Sequence, residues 1–268
     1  MLKKLINVLC VTTLVLLTAC SHKEKTNEIR VGTIAGPETV LMETAKTVAE
    51  KEFGLRIKII TFSDYNIPNQ ALEEGEIDAN AFQHYPFLLS QIKARGYSLV
   101  SVGDTFLYPM GLYSKKIITL ADLQPDSEIA IPNDPSNEAR ALLLLQKAGL
   151  ITLKPQITIN ATPQDVVDNP KKLKLVALDA AQLPRVLNDV TIAAINTNYA
   201  VPAGLSPSKA LFLEGTDSPY MNIIVVRVAD KNEKKIKELV RAYQSAPVLE
   251  QAKKIFGDAA IAGFTVRQ

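Results

Sequence analysis

From residue 28 onward, short apolar runs alternate with amphipathic segments, and this alternation restricts the fold more than any other feature of the chain. Residues 28–34 have strand character, Ala35-Gly36-Pro37 forms a turn, and residues 38–51 carry a helical pattern with Val40, Leu41, Ala45, Val48 and Ala49 as its apolar positions. Gly54 follows, as glycine commonly does where a helix must end in a left-handed conformation. The pattern then repeats: strand 55–62, short helix 69–74 stopped by Gly75, strand 77–82, helix 87–95 ended by Gly96, and strand-like residues 97–102 and 106–108. A second series has a helical turn at 120–123, strand 128–131, helix 137–148 ended by Gly149, strand 173–178, helix 180–187 and strand 191–195. A long apolar strand over 222–228 and two amphipathic helices over 232–243 and 247–256 complete the chain. Alternating strands and helices predict an α/β fold with a parallel or mixed sheet between helix layers. Ile223-Ile224-Val225-Val226 is apolar on both faces, as a strand covered on both sides must be. In such sheets ligands bind at the carboxyl ends of strands, where helix N-termini present free N–H groups. The sequence has no internal repeat, so a solenoid is not expected.

The first twenty residues follow another logic. Lys3 and Lys4 precede residues 5–19, an uncharged apolar run of 15 residues. As a helix that run spans roughly 22 Å, short of the about 30 Å of a bilayer core. A short apolar run behind a basic start has the shape of a secretory signal. It closes on Leu17-Thr18-Ala19-Cys20, which resembles the lipobox of bacterial lipoproteins. That resemblance implies cleavage before Cys20 and lipidation of this cysteine, with diacylglycerol on its thiol and palmitate among the acyl chains. An ordinary signal that happens to end beside a cysteine is the alternative. Loss of residues 1–19 removes Lys3, Lys4 and Cys10, leaving 28 basic against 28 acidic residues and Cys20 as the one cysteine. A balanced charge gives no basic stripe for nucleic acid, and a single cysteine forms no internal disulfide. Residues 20–27 are expected to be a lipid-anchored tether; the polar run after Cys20 includes His22, whose plain reading is a solvated imidazole.

The parts of an enzyme are sparse. Beyond His22 the only histidine is His84, and the chain has no Gly-x-Ser-x-Gly, no phosphate-binding Gly-x-x-x-x-Gly-Lys and no His-Glu-x-x-His. Neither a metal nor a cofactor is expected, because His84 has no second histidine or cysteine in the body to share a metal with. Four of the sixteen Phe and Tyr residues (Tyr65, Phe82, Tyr85 and Phe87) fall within one 23-residue window, which suggests an aromatic wall, although such rings are also ordinary core.

Four stretches carry a resemblance. They run from Phe62 to Asn69, from Gly75 to Phe87 (with Asp78-Ala79-Asn80-Ala81-Phe82-Gln83-His84 inside it), from Ile131 to Arg140 and from Ser218 to Asn222. Together with Ala194-Ile195-Asn196-Thr197, they resemble in order the NlpA lipoproteins, the methionine-binding lipoproteins of a bacterial ABC importer. The resemblance covers about residues 28–264. It implies a two-lobed periplasmic-binding-protein fold with two interlobe crossovers and a ligand cleft. Residues 28–108 plus 222–268 would form lobe one, and 109–221 lobe two.

The expected ligand-binding residues are Arg140, Asn222, Asn196, Tyr65, Phe82, His84, Phe87 and Asn137. An amino acid is a zwitterion, and Arg is the side chain with a fixed fork for its carboxylate. By position alone, Arg140 is as readily a surface ion-pair residue; the resemblance assigns it to the carboxylate. Asn196 and Asn222 stand at strand ends, where Asn is commonly a cap or turn residue; an amide there also offers a donor and an acceptor. The resemblance places Tyr65, Phe82, His84 and Phe87 around the thioether. The family commonly has Tyr at Phe87, so this chain keeps the apolar wall and loses a hydroxyl. No acidic residue presents itself as partner for the ammonium, which leaves Asn side chains and backbone carbonyls. The expected partners are L-methionine, an inner-membrane permease with its ATPase, and the membrane through the lipid, in the cell envelope. Another amino acid or a short peptide in the same cleft, and a surface-exposed adhesin or antigen, are the rival readings.

Overall fold

The computed structural model describes residues 27–266. The expected signal (1–19), the lipidation site Cys20, His22 and nearly all of the tether lie outside the described residues. Among those described, no helix is long and apolar enough to cross a membrane.

The first series forms β1 (Glu28–Ile34), α1 (Pro37–Phe53), β2 (Arg56–Phe62), α2 (Pro68–Glu73), β3 (Ala79–His84), α3 (Tyr85–Arg95) and β4 (Leu99–Asp104). After β5 (Phe106–Leu107), the second series runs through β6 (Gly111–Tyr113), β7 (Glu128–Pro132), α4 (Pro135–Lys147), β8 (Thr152–Leu153), β9 (Val166–Asp168), β10 (Lys174–Leu178), β11 (Ile192–Ile195), α5 (Thr197–Ala200) and β12 (Phe212–Leu213). The chain closes with β13 (Asn222–Arg227), α6 (Lys234–Tyr243), α7 (Ala246–Phe256) and β14 (Ile261–Ala262).

Two five-stranded sheets result, one in each lobe, ordered β2-β1-β3-β13-β4 and β10-β7-β11-β6-β12. β1 is parallel to β2 and β3, while β13 returns from the far end of the sequence to lie antiparallel between β3 and β4. Side chains alternate across a strand, so β13 feeds two cores. Ile224 and Val226 pack with Leu41, Leu239 and Val248 under α1, α6 and α7, while Ile223 and Val225 pack with Leu72 and Leu88 under α2 and α3. In the second sheet Ile129 and Ile192 meet Leu142 and Leu145 of α4, and Ala130 and Ala193 meet Leu183 and Leu187 on the other face. Each fully buried aliphatic side chain contributes about 1.5–3 kcal/mol, so both layers are held by their sheets' two-sided apolar strands.

The chain passes between the sheets twice, before β6 and after β12. The two passages are joined where Glu214 N donates to Met110 O at 2.9 Å and Met110 N donates to Glu214 Oε2 at 3.0 Å.

Several boundaries differ from the sequence reading. The helix expected over 180–187 is two short 3-10 turns, Ala180–Gln182 and Arg185–Asn188. Pro184 lies between them; its ring fixes φ and it has no N–H to continue a helical ladder. Strand β3 ends at His84 rather than Phe82, and α3 starts at Tyr85 because His84 caps it. Helix α4 starts at Pro135, capped by Asp134. Strands β6, β8, β9, β12 and β14 have only two or three residues each, too few to show a period of two.

Candidate functional site

Strand ends and helix starts from both lobes converge on one cavity. All eight residues named from the sequence line it: Tyr65, Phe82, His84, Phe87, Asn137, Arg140, Asn196 and Asn222, joined by Gln83, Tyr108, Thr197 and Asn198. The chain reaches this arrangement through local geometry. β3 ends in Phe82-Gln83-His84, and β13 begins with Asn222 paired to His84. β11 ends just before Asn196, and the first turns of α4 present Asn137 and Arg140.

One wall is aromatic. Tyr65, Phe82 and Phe87 lie 5.8–5.9 Å apart by ring centroids, with Phe87 edge-on to the other two. Tyr199 closes on Tyr65 at 5.0 Å. Such offset and edge contacts add about 0.5–1.5 kcal/mol each beyond area burial.

Arg140 has a partner that sequence reasoning missed. Its Nε lies 3.1 Å from both carboxylate oxygens of Glu214, and its Nη2 donates to Glu214 Oε2 and, at 2.9 Å, to Tyr108 O. The guanidinium carbon sits 4.5 Å from the Tyr220 ring centroid, a favourable cation–π position. Both side chains are nearly fully buried. Because Glu214 also receives Met110 N, and Arg140 also holds Tyr108 O, this ion pair clamps the two interlobe passages together. Nη1 is the arm of the fork with no partner among the described residues. Nothing in the Phe212-Leu213-Glu214-Gly215 sequence marks Glu214 as buried, since acidic residues between short strands are usually solvated.

The amides have fixed directions. The Asp134 carboxylate accepts from Asn137 N at 3.0 Å and from Asn137 Nδ2 at 2.9 and 3.0 Å. Asn137 Oδ1 therefore points the other way, to accept from Asn196 Nδ2 at 2.8 Å and face His84 Nε2 at 3.1 Å. His84 Nδ1 accepts the Phe87 N–H at 3.1 Å, so the ring proton is on Nε2. The His84 Nε2–Asn137 Oδ1 contact joins β3 to α4 across the cleft. Tyr65 Oη donating to Asn198 Oδ1 at 2.7 Å and Asn66 Nδ2 to Asp179 Oδ2 at 3.2 Å also cross it.

Burial first, and the positive charge of Arg140 second, push the His84 imidazole down to about 3, against the bond to Asn137. The folded protein thus keeps His84 neutral where the unfolded chain, with its ordinary value near 6.5, takes up a proton. Stability is present above that ordinary value and is lost as pH falls from about 6.5 toward 3, by at most about 1.4 kcal/mol per pH unit. His84→Asn keeps a helix-capping oxygen and removes the titration. The stability gap between wild type and H84N is expected to narrow by about 2–3 kcal/mol between pH 6.5 and 4.5, read from urea unfolding at both values. A gap that does not change with pH would remove His84 from the acid response.

Five buried polar atoms at or beside the cavity have no hydrogen-bond partner among the described residues: Asn196 Oδ1, Asn198 Nδ2, Tyr108 Oη, Tyr220 Oη and Glu38 Oε2. Native interiors leave few such atoms. Asn222 donates through Nδ2 to Glu38 Oε1 at 3.1 Å and to Phe82 O at 3.3 Å, which leaves its Oδ1 for the cavity. The walls thus offer donors (Arg140 Nη1, Asn198 Nδ2), acceptors (Asn196 Oδ1, Asn222 Oδ1) and an apolar side. That set complements a small molecule carrying an anion, a cation and an apolar tail. Among the described residues, no three His, Cys, Asp or Glu are placed to hold a metal ion.

The family model described as NlpA lipoprotein matches residues 29–264. The D-methionine-binding lipoprotein MetQ of Salmonella typhi is 51% identical over 252 residues, covering 92% of this chain and 93% of that protein. A solved ABC-transporter periplasmic substrate-binding protein from Coxiella burnetii is 64% identical, with a TM-score of 0.86 over 88% of this chain and 100% of its own. A nutrient-binding protein from Burkholderia cenocepacia, solved bound to methionine, is 52% identical, with a TM-score of 0.86 and coverage of 88% and 100%.

Proposed function

Because this chain belongs to the NlpA lipoprotein family, we propose that it captures methionine in the interlobe cleft and delivers it to an ABC importer, with no covalent chemistry of its own. The observation that carries this reading is that Arg140 Nη1, Asn198 Nδ2, Asn196 Oδ1 and Asn222 Oδ1, on residues that line one cavity beside an aromatic wall, have no hydrogen-bond partner among the described residues. Arg140 Nη1 and Asn198 Nδ2 take the ligand carboxylate. Asn222 Oδ1 and Asn196 Oδ1 take its ammonium. Tyr65, Phe82 and Phe87 enclose the thioether, with His84 and Asn137 bracing the two lobes around it. Side-chain burial contributes about 1.5–3 kcal/mol and each sulfur–aromatic contact about 0.3–1.5 kcal/mol. Residues 28–108 and 222–268 form the lobe that carries Asn222, and 109–221 the lobe that carries Arg140. Opening between them releases the ligand to a membrane permease, whose ATPase supplies the energy. The chain is held to the membrane by lipid on Cys20, facing the periplasm or the cell exterior.

The test is a calorimetric titration of the full-length protein in detergent, refolded to strip carried ligand, with L-methionine, D-methionine and leucine. Saturable one-to-one binding of methionine, with leucine at least tenfold weaker, is the expected result. A folded protein that gives no heat and no thermal shift with any of the three would overturn the assignment.

A further inference from the structure

Glu38 is a buried carboxyl that the methionine reading leaves without a role. It sits in the first turn of α1, directly after the Ala35-Gly36-Pro37 turn at the carboxyl end of β1. An acidic residue there is ordinarily solvated and serves the helix dipole, but Glu38 is only 3% exposed. The turn that carries it abuts the opposite lobe, since a Cβ on Gly36 would lie 3.3 Å from Pro202 Cγ. Its single hydrogen bond comes from Asn222 Nδ2, its Oε2 has no partner, and it has no ion pair among the described residues. A buried carboxyl without a cation is costly, and burial pushes this one well above the ordinary carboxylate range. A positive charge held nearby would favour its ionised form.

Resting on the amino-acid reading above, we propose that Glu38 is a positioning residue that makes the cavity select ligands bearing an α-ammonium. It turns the Asn222 amide so that Oδ1 faces the ligand, and it supplies negative charge behind that amide. Phe82 O, which accepts from the same Nδ2, fixes the amide's direction from the other side. The ammonium thus meets a carbonyl oxygen backed by a carboxylate, with no exposed acid in the cavity wall to attract bare cations.

The experiment compares L-methionine with 2-hydroxy-4-(methylthio)butanoate, which keeps the carboxylate and thioether and has a hydroxyl in place of the ammonium. Calorimetry on the full-length wild type and on Glu38→Gln, which keeps the acceptor and removes the charge, gives the ratio of the two Kd values. For E38Q, the Kd for L-methionine is expected to rise at least tenfold and that for the hydroxy analogue to stay within twofold. Glu38→Met, which removes the buried polar group at similar volume, is the second variant should E38Q not fold. There both ligands weaken, L-methionine at least tenfold more. Equal losses for the two ligands would show a merely structural role and overturn the proposal, as would unchanged values. A wild type that binds L-methionine while both variants keep its selectivity defeats this inference alone. A wild type that binds neither ligand defeats the methionine reading and this inference with it.

Discussion

Arg140→Ala is expected to abolish measurable methionine binding and to lower the melting temperature together. The ligand loses a charge-assisted donor, worth about 1.5–3 kcal/mol per hydrogen bond, and its buried carboxylate is left facing uncompensated space. A rise in Kd of at least about a thousandfold, about 4 kcal/mol, is the expected reading by calorimetry. Stability falls as well, because Glu214 then stands as a buried carboxylate without its cation, and breaking such a pair from one side costs about 3–5 kcal/mol. Arg140→Lys separates the two effects. A lysine returns the charge but not the planar fork, so part of the stability should come back and the affinity should not. An R140A protein that holds L-methionine within tenfold of wild type would show that the carboxylate lies elsewhere in the cavity.

The second large effect is expected at Glu214. Glu214→Ala strips acceptors from the Arg140 fork, from Met110 N and from Ser218 Oγ at once. A loss of about 3–5 kcal/mol in unfolding free energy follows. For a chain of this size that is roughly 10 °C in melting temperature, at about 2–4 °C per kcal/mol. Glu214→Gln, which keeps one acceptor, should lose less. Because the effect acts on the joined interlobe passages, it should be present without any ligand; R140A, by contrast, shows its largest loss in affinity. If thermal unfolding of E214A matches wild type, the buried pair is not what holds the passages together.

The two largest effects divide between a residue that was visible in the sequence and one that was not, and the reason is physical. Arg140 stands at a helix start in a stretch that resembles a known family, and all eight residues named from the sequence do converge on one cavity. Glu214 and Glu38 are acidic residues flanked by ordinary turn and helix-start patterns, and their burial depends on contacts 74 and 184 residues away along the chain. Local patterning carries no trace of such contacts. The same division holds for the fold. Strands as apolar as β13 and helices as periodic as α6 announced themselves, because burial on a sheet or a helix face imposes a period. The division of residues 180–188 by Pro184 and the brief strands β6 and β12 did not, because two or three residues hold no period and a proline's effect depends on which turn it interrupts.

β13 occupies the middle of the first sheet, yet it is made last among that sheet's five strands. As the chain emerges amino end first, β1 to β4 are present long before Asn222 appears. Until then β3 and β4 have unpaired edges facing a gap one strand wide, and the apolar faces under α1 and α3 lack their central strip. The second lobe is one continuous segment and can complete its sheet as soon as its own residues are available. The order of assembly is therefore written into the connectivity. The Arg140 side of the cavity matures first, and the Asn222 side must wait for the same strand that closes the hydrogen-bond ladder. A chain cut short before residue 222 would hold half a site and an open sheet edge, a species marked for aggregation or proteolysis rather than for partial function.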